Sequence, residues 1–306
     1  MNRFFQKTNA EWVRFSEYEY KQCEDGHLYL MPTPTAKPMV YDPMQVAETL
    51  VVNALNLGRL AMKRGNEGDL KQAVMDFVTK YGLLGFMTAL PTTSEFVAYD
   101  AVYLPKNHFI KEESMTTQDY LSHFFPFQKP DIYKGKDTAR WDVSDDCDDR
   151  MMTALAMAFA NEPIAVGMSL RRNYAERYEW LATQFRDWAF MLVSSFLFYE
   201  DKDRADDLTL DLYRQGVSAF GSKVPTYHIS FYDDKPHIVW DFHSLLLTVQ
   251  TLFGFALTDE TRPLRVCKCC NLAFIAGHPN AAFCSSQCKN QYNVYKSREK
   301  DEQSTD

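Results

Sequence analysis

The sequence predicts an α+β chain: a mainly helical body carrying two small β-hairpins, followed by a compact C-terminal module. Three observations carry that expectation. Apolar residues recur at helical spacing in several long segments. Two pairs of aromatic and β-branched runs flank turn residues. Five of the seven cysteines fall within the 22 residues that begin at Cys267 and end at Cys288.

In order along the chain, residues 11–31 read as the first hairpin, with aromatic-rich 12–20, the turn pair Asp25-Gly26 and the run 28–31. A connector with four prolines, 32–43, follows. Asp42 then caps a helix with Pro43 at its first position, running to about Lys63. A second helix is expected from Asp69 to Tyr81, with Gly82 as its stop. The run 77–85 lacks the Gly-x4-Gly-Lys spacing of a phosphate loop and reads as that same helix end. A strand is expected over 95–104 and a long irregular region over 105–148. Five carboxylates in 142–149 lack the glycine and spacing of a calcium loop and suit a helix start. Helices are expected over 151–161, 170–199 and 243–257, and the charged stretch 201–211 leads into another that ends near Gly221. In the longest, Tyr174, Tyr178, Leu181, Phe185, Trp188 and Leu192 make a core stripe. The second hairpin places 227–232 and 237–240 around 233–236.

Residues 263–306 form the module, which divides the chain from a body over 1–262. Cys267 and Cys270 form a C-x2-C pair, and Cys284 and Cys288 form a C-x3-C pair thirteen residues later. Two close pairs across a short loop supply the four soft donors that tetrahedral zinc requires. All four positions are then filled by thiolates, so one structural zinc is expected rather than a catalytic one with an open site. A hairpin around 277–280 should separate the pairs. A helix should start at Cys284, capped by Ser285 or Ser286, with both its cysteines on one face. Knuckle, hairpin and ligand-bearing helix describe a treble-clef-like fold. Cys269 is the spare thiol, and His278, at the hairpin tip, is the alternative ligand.

Phe274, the stretch Phe283-Cys284-Ser285 and Cys288-Lys289-Asn290-Gln291 add to this spacing. Together with the long apolar helix before it, the stretch resembles the CGNR-type zinc finger that ends a family of bacterial transcription regulators. The resemblance covers about forty residues and implies the same zinc ligands and a DNA-binding role. Lys289 and Gln291 stand where that tetrad has glycine and arginine, and the uncharged 279–282 replaces its arginine-rich approach to the third cysteine.

Net charge is −8 and uneven. From Arg262 to Lys300, seven Lys/Arg against one acid give +6, whereas residues 1–261, with 26 against 37, give −11. Either a polyanion meets the tail, or the acidic body and the basic tail attract each other within one molecule. On the terminal helix, Lys289, Asn293, Lys296 and Lys300 share one stripe, with lysine suited to phosphates and asparagine to base edges or sugars. No dinucleotide, nucleophile-elbow or zinc-protease motif is present, and His228, His237 and His243 lie near the second hairpin and could converge. The start of the chain has no apolar h-region and no run is long enough to span a bilayer, so a cytoplasmic chain without a membrane partner is expected. The favoured reading is a zinc-binding regulator that touches DNA or RNA through its tail. The body would serve as a sensor or dimerisation domain, which leaves a homo-oligomer and a small-molecule effector open. The alternatives are an interaction or scaffold protein whose zinc staples the C-terminus, and an enzyme with an unrecognised site in the body.

Overall fold

The computed structural model describes residues 7–63, 65–87, 101–103, 109–112, 114–127, 172–201, 205–218 and 225–303. Five short strands come first: β1 (Thr8–Asn9), β2 (Trp12–Phe15), β3 (Tyr18–Gln22), β4 (Leu28–Pro32) and β5 (Pro38–Tyr41). A 3-10 turn over Pro43–Val46 leads into α1 (Ala47–Ala61), and α2 (Glu67–Tyr81) follows. Strands β6 (Ala101–Tyr103) and β7 (Ser114–Thr116) precede α3 (Thr117–Ser122). The chain continues through β8 (Glu176–Arg177), α4 (Tyr178–Asp201), α5 (Asp207–Ser218), β9 (Thr226–Tyr232), β10 (Lys235–Asp241) and α6 (Leu245–Thr258). It closes with β11 (Leu264–Val266), β12 (Ala273–Ile275) and α7 (Ser286–Gln303). The protein is thus mixed α/β, with seven α-helices and five small sheets among the described residues. None of these helices is long and apolar enough to cross a membrane.

Several elements differ from expectation for a clear reason. The first hairpin is narrower, β3 on β4, because β2 pairs instead with β5 inside the proline-rich connector. Pro38 sits at the first position of β5, where a missing N–H does little harm. The long helix begins at Tyr178, not near 170: Tyr174 is buried outside it, and Glu176 and Arg177 pair as a strand with β4. The second hairpin is as expected. Asp233 and Asp234 both take positive φ, 51° and 57°, the backbone of a tight two-residue turn. The acidic run 142–149, the helix over 151–161 and most of the strand over 95–104 lie outside the described residues.

The chain groups into two compact units. The first draws on Met1–Gln45, Lys71–Ala182 and Lys223–Thr248, and the second on Val46–Leu70, Thr183–Ser222 and Val249–Asp306. In the first, residues 82–87 have no regular structure yet are all buried, so their backbone polar groups need partners from elsewhere. Trp12 Nε1 donates to Leu83 O at 2.9 Å, and Leu246 N donates to Leu84 O at 2.7 Å. The fully buried Glu176 carboxylate accepts from the N–H groups of Leu84, Gly85 and Phe86 and from the Tyr174 hydroxyl, at 2.6–2.9 Å. Burial holds its carboxyl above the ordinary value, against the pull of those four donors. Gly82 and Gly85 make this approach geometrically feasible. Both have positive φ, and a Cβ would come within 2.3 Å of Val13 O at one and 2.6 Å of the Trp12 ring at the other.

In the second unit, α1 and α4 cross at Gly58, where a Cβ would fall 1.9 Å from Phe185 O. Leu50, Val51, Ala54 and Leu55 of α1 and Phe185, Trp188, Ala189 and Leu192 of α4 are buried. The same α1 carries Asn56, which brackets the Ala273 backbone: Oδ1 accepts its N–H at 2.7 Å and Nδ2 donates to its carbonyl at 3.2 Å. The C-terminal hairpin is thereby fastened to a helix more than 200 residues earlier in sequence.

Four donors converge on Glu176 and an amide offers an acceptor on only one side. Glu176→Gln is therefore expected to destabilise the protein by about 1–3 kcal/mol, the cost of a buried donor left without an acceptor. Denaturant unfolding of the variant checks this, and an unchanged midpoint would show that the carboxylate does not anchor residues 82–87.

Candidate metal centre

The module is built outward from β11 and β12, paired antiparallel as Leu264 with Ile275, Arg265 with Phe274 and Val266 with Ala273. The tail hairpin therefore turns at the cysteine knuckle, and not at 277–280 as the sequence suggested. The 277–280 stretch is an exposed turn with Ala281 N on His278 O. Apolar side chains explain the choice: Val266 and Ala273 are buried at the knuckle end, whereas the Gly-His-Pro-Asn turn has nothing to bury. Cys267 N donates to Leu272 O and Asn271 N to Cys267 O, both at 2.9 Å, with Asn271 at φ 58°. That left-handed residue closes the knuckle, a role asparagine tolerates.

The second cysteine pair arrives along a separate path. Lys268 N donates to Ala282 O at 3.0 Å and draws the chain before Cys284 alongside the knuckle. Helix α7 starts at Ser286, so Cys284 precedes it and only Cys288 lies in its first turn. Ser285 is the cap: its Oγ accepts Cys288 N at 3.2 Å and its carbonyl accepts Lys289 N at 3.1 Å. The expectation that both thiols share a face of the helix gives way to one thiol before the cap and one after it.

Cys267, Cys270, Cys284 and Cys288 bring their sulfurs within 4.8 Å of one another. Cys270 and Cys284 are 3.7 Å apart, and Cys284 and Cys288 3.6 Å. A tetrahedral thiolate shell with metal–sulfur bonds of about 2.3 Å has edges of about 3.8 Å, so the donor set and its spacing fit a metal ion. Electrostatics agree. Cys267 is fully buried, which opposes ionisation, yet N–H groups of Cys270, Cys284 and Cys269 bring its thiol down to about 6. Burial and hydrogen bonds to Cys288, Cys267 and Cys270 push Cys284 up to about 12. One thiolate at Cys267 thus forms readily and opposes ionisation of Cys284, and a bound cation would remove that opposition.

The other expected site residues are dispersed. Cys269 stands outside the group, its thiol 3.7 Å from Gln291 Oε1. His278 is exposed in its turn. Lys289, Asn293 and Lys296 are exposed along α7, and the Lys300 side chain lies outside the described residues. The three histidines near the second hairpin do not converge. His228 bonds Asp241 at 2.8 Å, His243 bonds Thr226, and His237 meets the Tyr232 ring. Sequence reasoning missed Asn56, which brackets Ala273, and Arg59 of the same helix, whose guanidinium is held below its ordinary value by burial, against an opposing pull from Cys270. Nothing local marks either, because their partners are distant in sequence. A cleft of about 530 Å³ beside the knuckle is lined by Arg265 and Lys268 but also by Asp259 and Glu260, which gives it no net preference for an anion.

No protein-family model matches this chain, and neither curated proteins nor solved structures provide a match to it.

The purified protein is expected to hold one metal ion per chain, bound with on the order of 10 kcal/mol. Cys284→Ser should lose it and Cys269→Ser should keep it, as read by elemental analysis. Metal retained in the first variant would displace Cys284 from the ligand set.

Proposed function

We propose that the four cysteines hold one structural zinc, and that this zinc fixes α7 as a nucleic-acid contact helix in a regulatory protein. The donor set favours zinc: four thiolates at tetrahedral spacing are its preferred closed shell. The order of elements, a knuckle within a short hairpin followed by a helix bearing the last ligand, supports the treble-clef-like reading. So does the ligand spacing shared with the CGNR-type finger, although Lys289 and Gln291 depart from its tetrad.

The observation that carries the nucleic-acid reading is the surface of α7. Over 286–298 only Cys288 and Tyr292 are partly buried. The exposed remainder holds Lys289, Lys296 and Arg298 and no acid. A long helix with no apolar face to bury is unusual unless its surface has a use. Here the sequence near the metal ligands is positive while the rest of the chain is acidic, so a phosphate backbone is the matching surface. Tyr292 packs on Phe283 with ring centroids 5.2 Å apart and anchors the helix beside the thiols, leaving Lys289, Asn293 and Lys296 outward.

A second reading rests on the Asn56 bracket around Ala273 and the bidentate Arg262–Glu48 pair, which fasten the module to α1. In that reading the zinc staples the C-terminus and α7 contacts a protein partner.

Binding to mixed DNA and RNA across a salt series separates the two. The nucleic-acid reading expects affinity that falls with salt. Lys289→Glu or Lys296→Glu should flatten the log–log slope by about 0.7–0.9 for each phosphate that the lysine neutralised. Both variants should retain the metal. Wild-type protein that binds neither nucleic acid at low salt ends this reading in favour of the second.

A further inference from the structure

We propose that the outer face of the β9–β10 hairpin is where a second copy of this chain docks. The hairpin is the wrong way round for a lone surface sheet. Its register stacks Tyr227 against Trp240, Ile229 against Ile238 and Phe231 against Pro236 on one face. The other face carries His228, Ser230, Tyr232, His237, Val239 and Asp241, by the alternation of a strand. The polar face is covered at its Val239–Asp241 end, while His228 and Tyr232 on it stay partly open. Val239 and Asp241 are buried, His228 bonds Asp241, and Lys7 Nζ lies 4.2 Å from the Tyr232 ring. The apolar face is open beyond Trp240, which packs against Ala10, Phe242 and Leu247: Tyr227 is 60% exposed, Ile229 65%, Phe231 71% and Ile238 53%.

Size and charge select the occupant. Aromatic side chains bury about 150–250 Å² each and isoleucine somewhat less, so at their exposures these four leave roughly 500 Å² of apolar surface per copy, and full burial in two copies gives roughly 1,000 Å², the lower bound for a specific interface. Two copies of a chain of net charge −8 repel, and contact at closest range needs a face without charge. None of the six residues of the three rungs is charged. Strand β9 also lacks the lysine or proline that usually guards a sheet edge, and among the described residues it is the free edge of its sheet. A two-fold axis through the middle rung sets Ile229 and Ile238 against the same pair of the second copy, and brings Tyr227 towards Phe231 across it. Antiparallel placement keeps the acidic turns at Asp233 and Asp234 at opposite ends of the contact, about 23 Å apart over a seven-residue strand. A symmetric apolar face of this kind is self-complementary, as an isologous contact requires.

Sedimentation of the 306-residue, metal-loaded chain tests the proposal. Wild type at micromolar concentration should show the mass of two 35.5 kDa chains. Ile229→Lys and Ile229→Glu should each sediment as one chain, with an unchanged far-UV spectrum because the position is exposed. Mixing the two variants in equal amounts should restore the two-chain mass, since the opposite charges meet at the axis. If Ile229→Lys fails to fold, Phe231→Lys gives the same reading. A wild-type monomer overturns the proposal and leaves the face to a different partner. Two-chain variants, or a mixture that stays monomeric, overturn it equally.

Discussion

Four sulfur atoms within 4.8 Å of one another set the terms for the C-terminal part of this protein. As thiols they pack acceptably; as thiolates they repel unless a cation sits among them. The N–H groups turned toward Cys267 stabilise the first negative charge, while burial and the neighbouring sulfurs, Cys267 among them, hold the Cys270 and Cys284 thiols up. Binding of a metal ion here would therefore be coupled to proton release and to the folded geometry of the module. The elements around the thiols serve this convergence. The β11–β12 pairing aims the knuckle, the Lys268–Ala282 bond carries the chain across to Cys284, and Ser285 starts a helix with Cys288 in its first turn.

The convergence also explains why the module needs the rest of its unit. Few of its residues are buried, chiefly Leu264, Val266, Cys267, Ala273 and Ala276, too few for a core of its own. Asn56 brackets Ala273 from α1, and Gly58 one half-turn on lets α1 lie close to α4. The module shares its compact unit with 46–70 and 183–222, segments that the sequence alone placed in a separate body. Helix α7 behaves differently. Past Tyr292 its described side chains meet solvent, so the helix is held at the end that carries Cys288.

The first unit solves a different problem with one carboxylate. Residues 82–87 pass through the interior without a helix or strand to satisfy their amides, and Glu176 supplies the acceptors for three in succession. Trp12 and Leu246 complete the arrangement on the carbonyl side. A buried charge is usually a liability, and here the donors around it make the irregular backbone feasible. The same unit ends in a hairpin whose apolar face is turned outward, so it combines an interior polar site with an exterior apolar one.

What the sequence determined by itself is local. Cysteine spacing identified the four clustered thiols, because two short pairs bring their own ligands close whatever surrounds them. Helical period identified α1, α2, α6 and the main length of α4, and Asp233-Asp234 between alternating runs identified the β9–β10 turn. Tertiary structure decided everything that depends on residues far apart. Pairing of β2 with β5 turned a proline-rich connector into a strand, and pairing of β8 with β4 held Glu176 out of the helix that its neighbours' periodicity suggested. The tail hairpin formed at the knuckle because Val266 and Ala273 have a buried side to reach, which no turn propensity encodes. The orientation of the second hairpin was likewise invisible. Alternation states that a strand has an apolar and a polar face, but which of them meets the protein is set by what packs against it, here Lys7 and the network around Asp241.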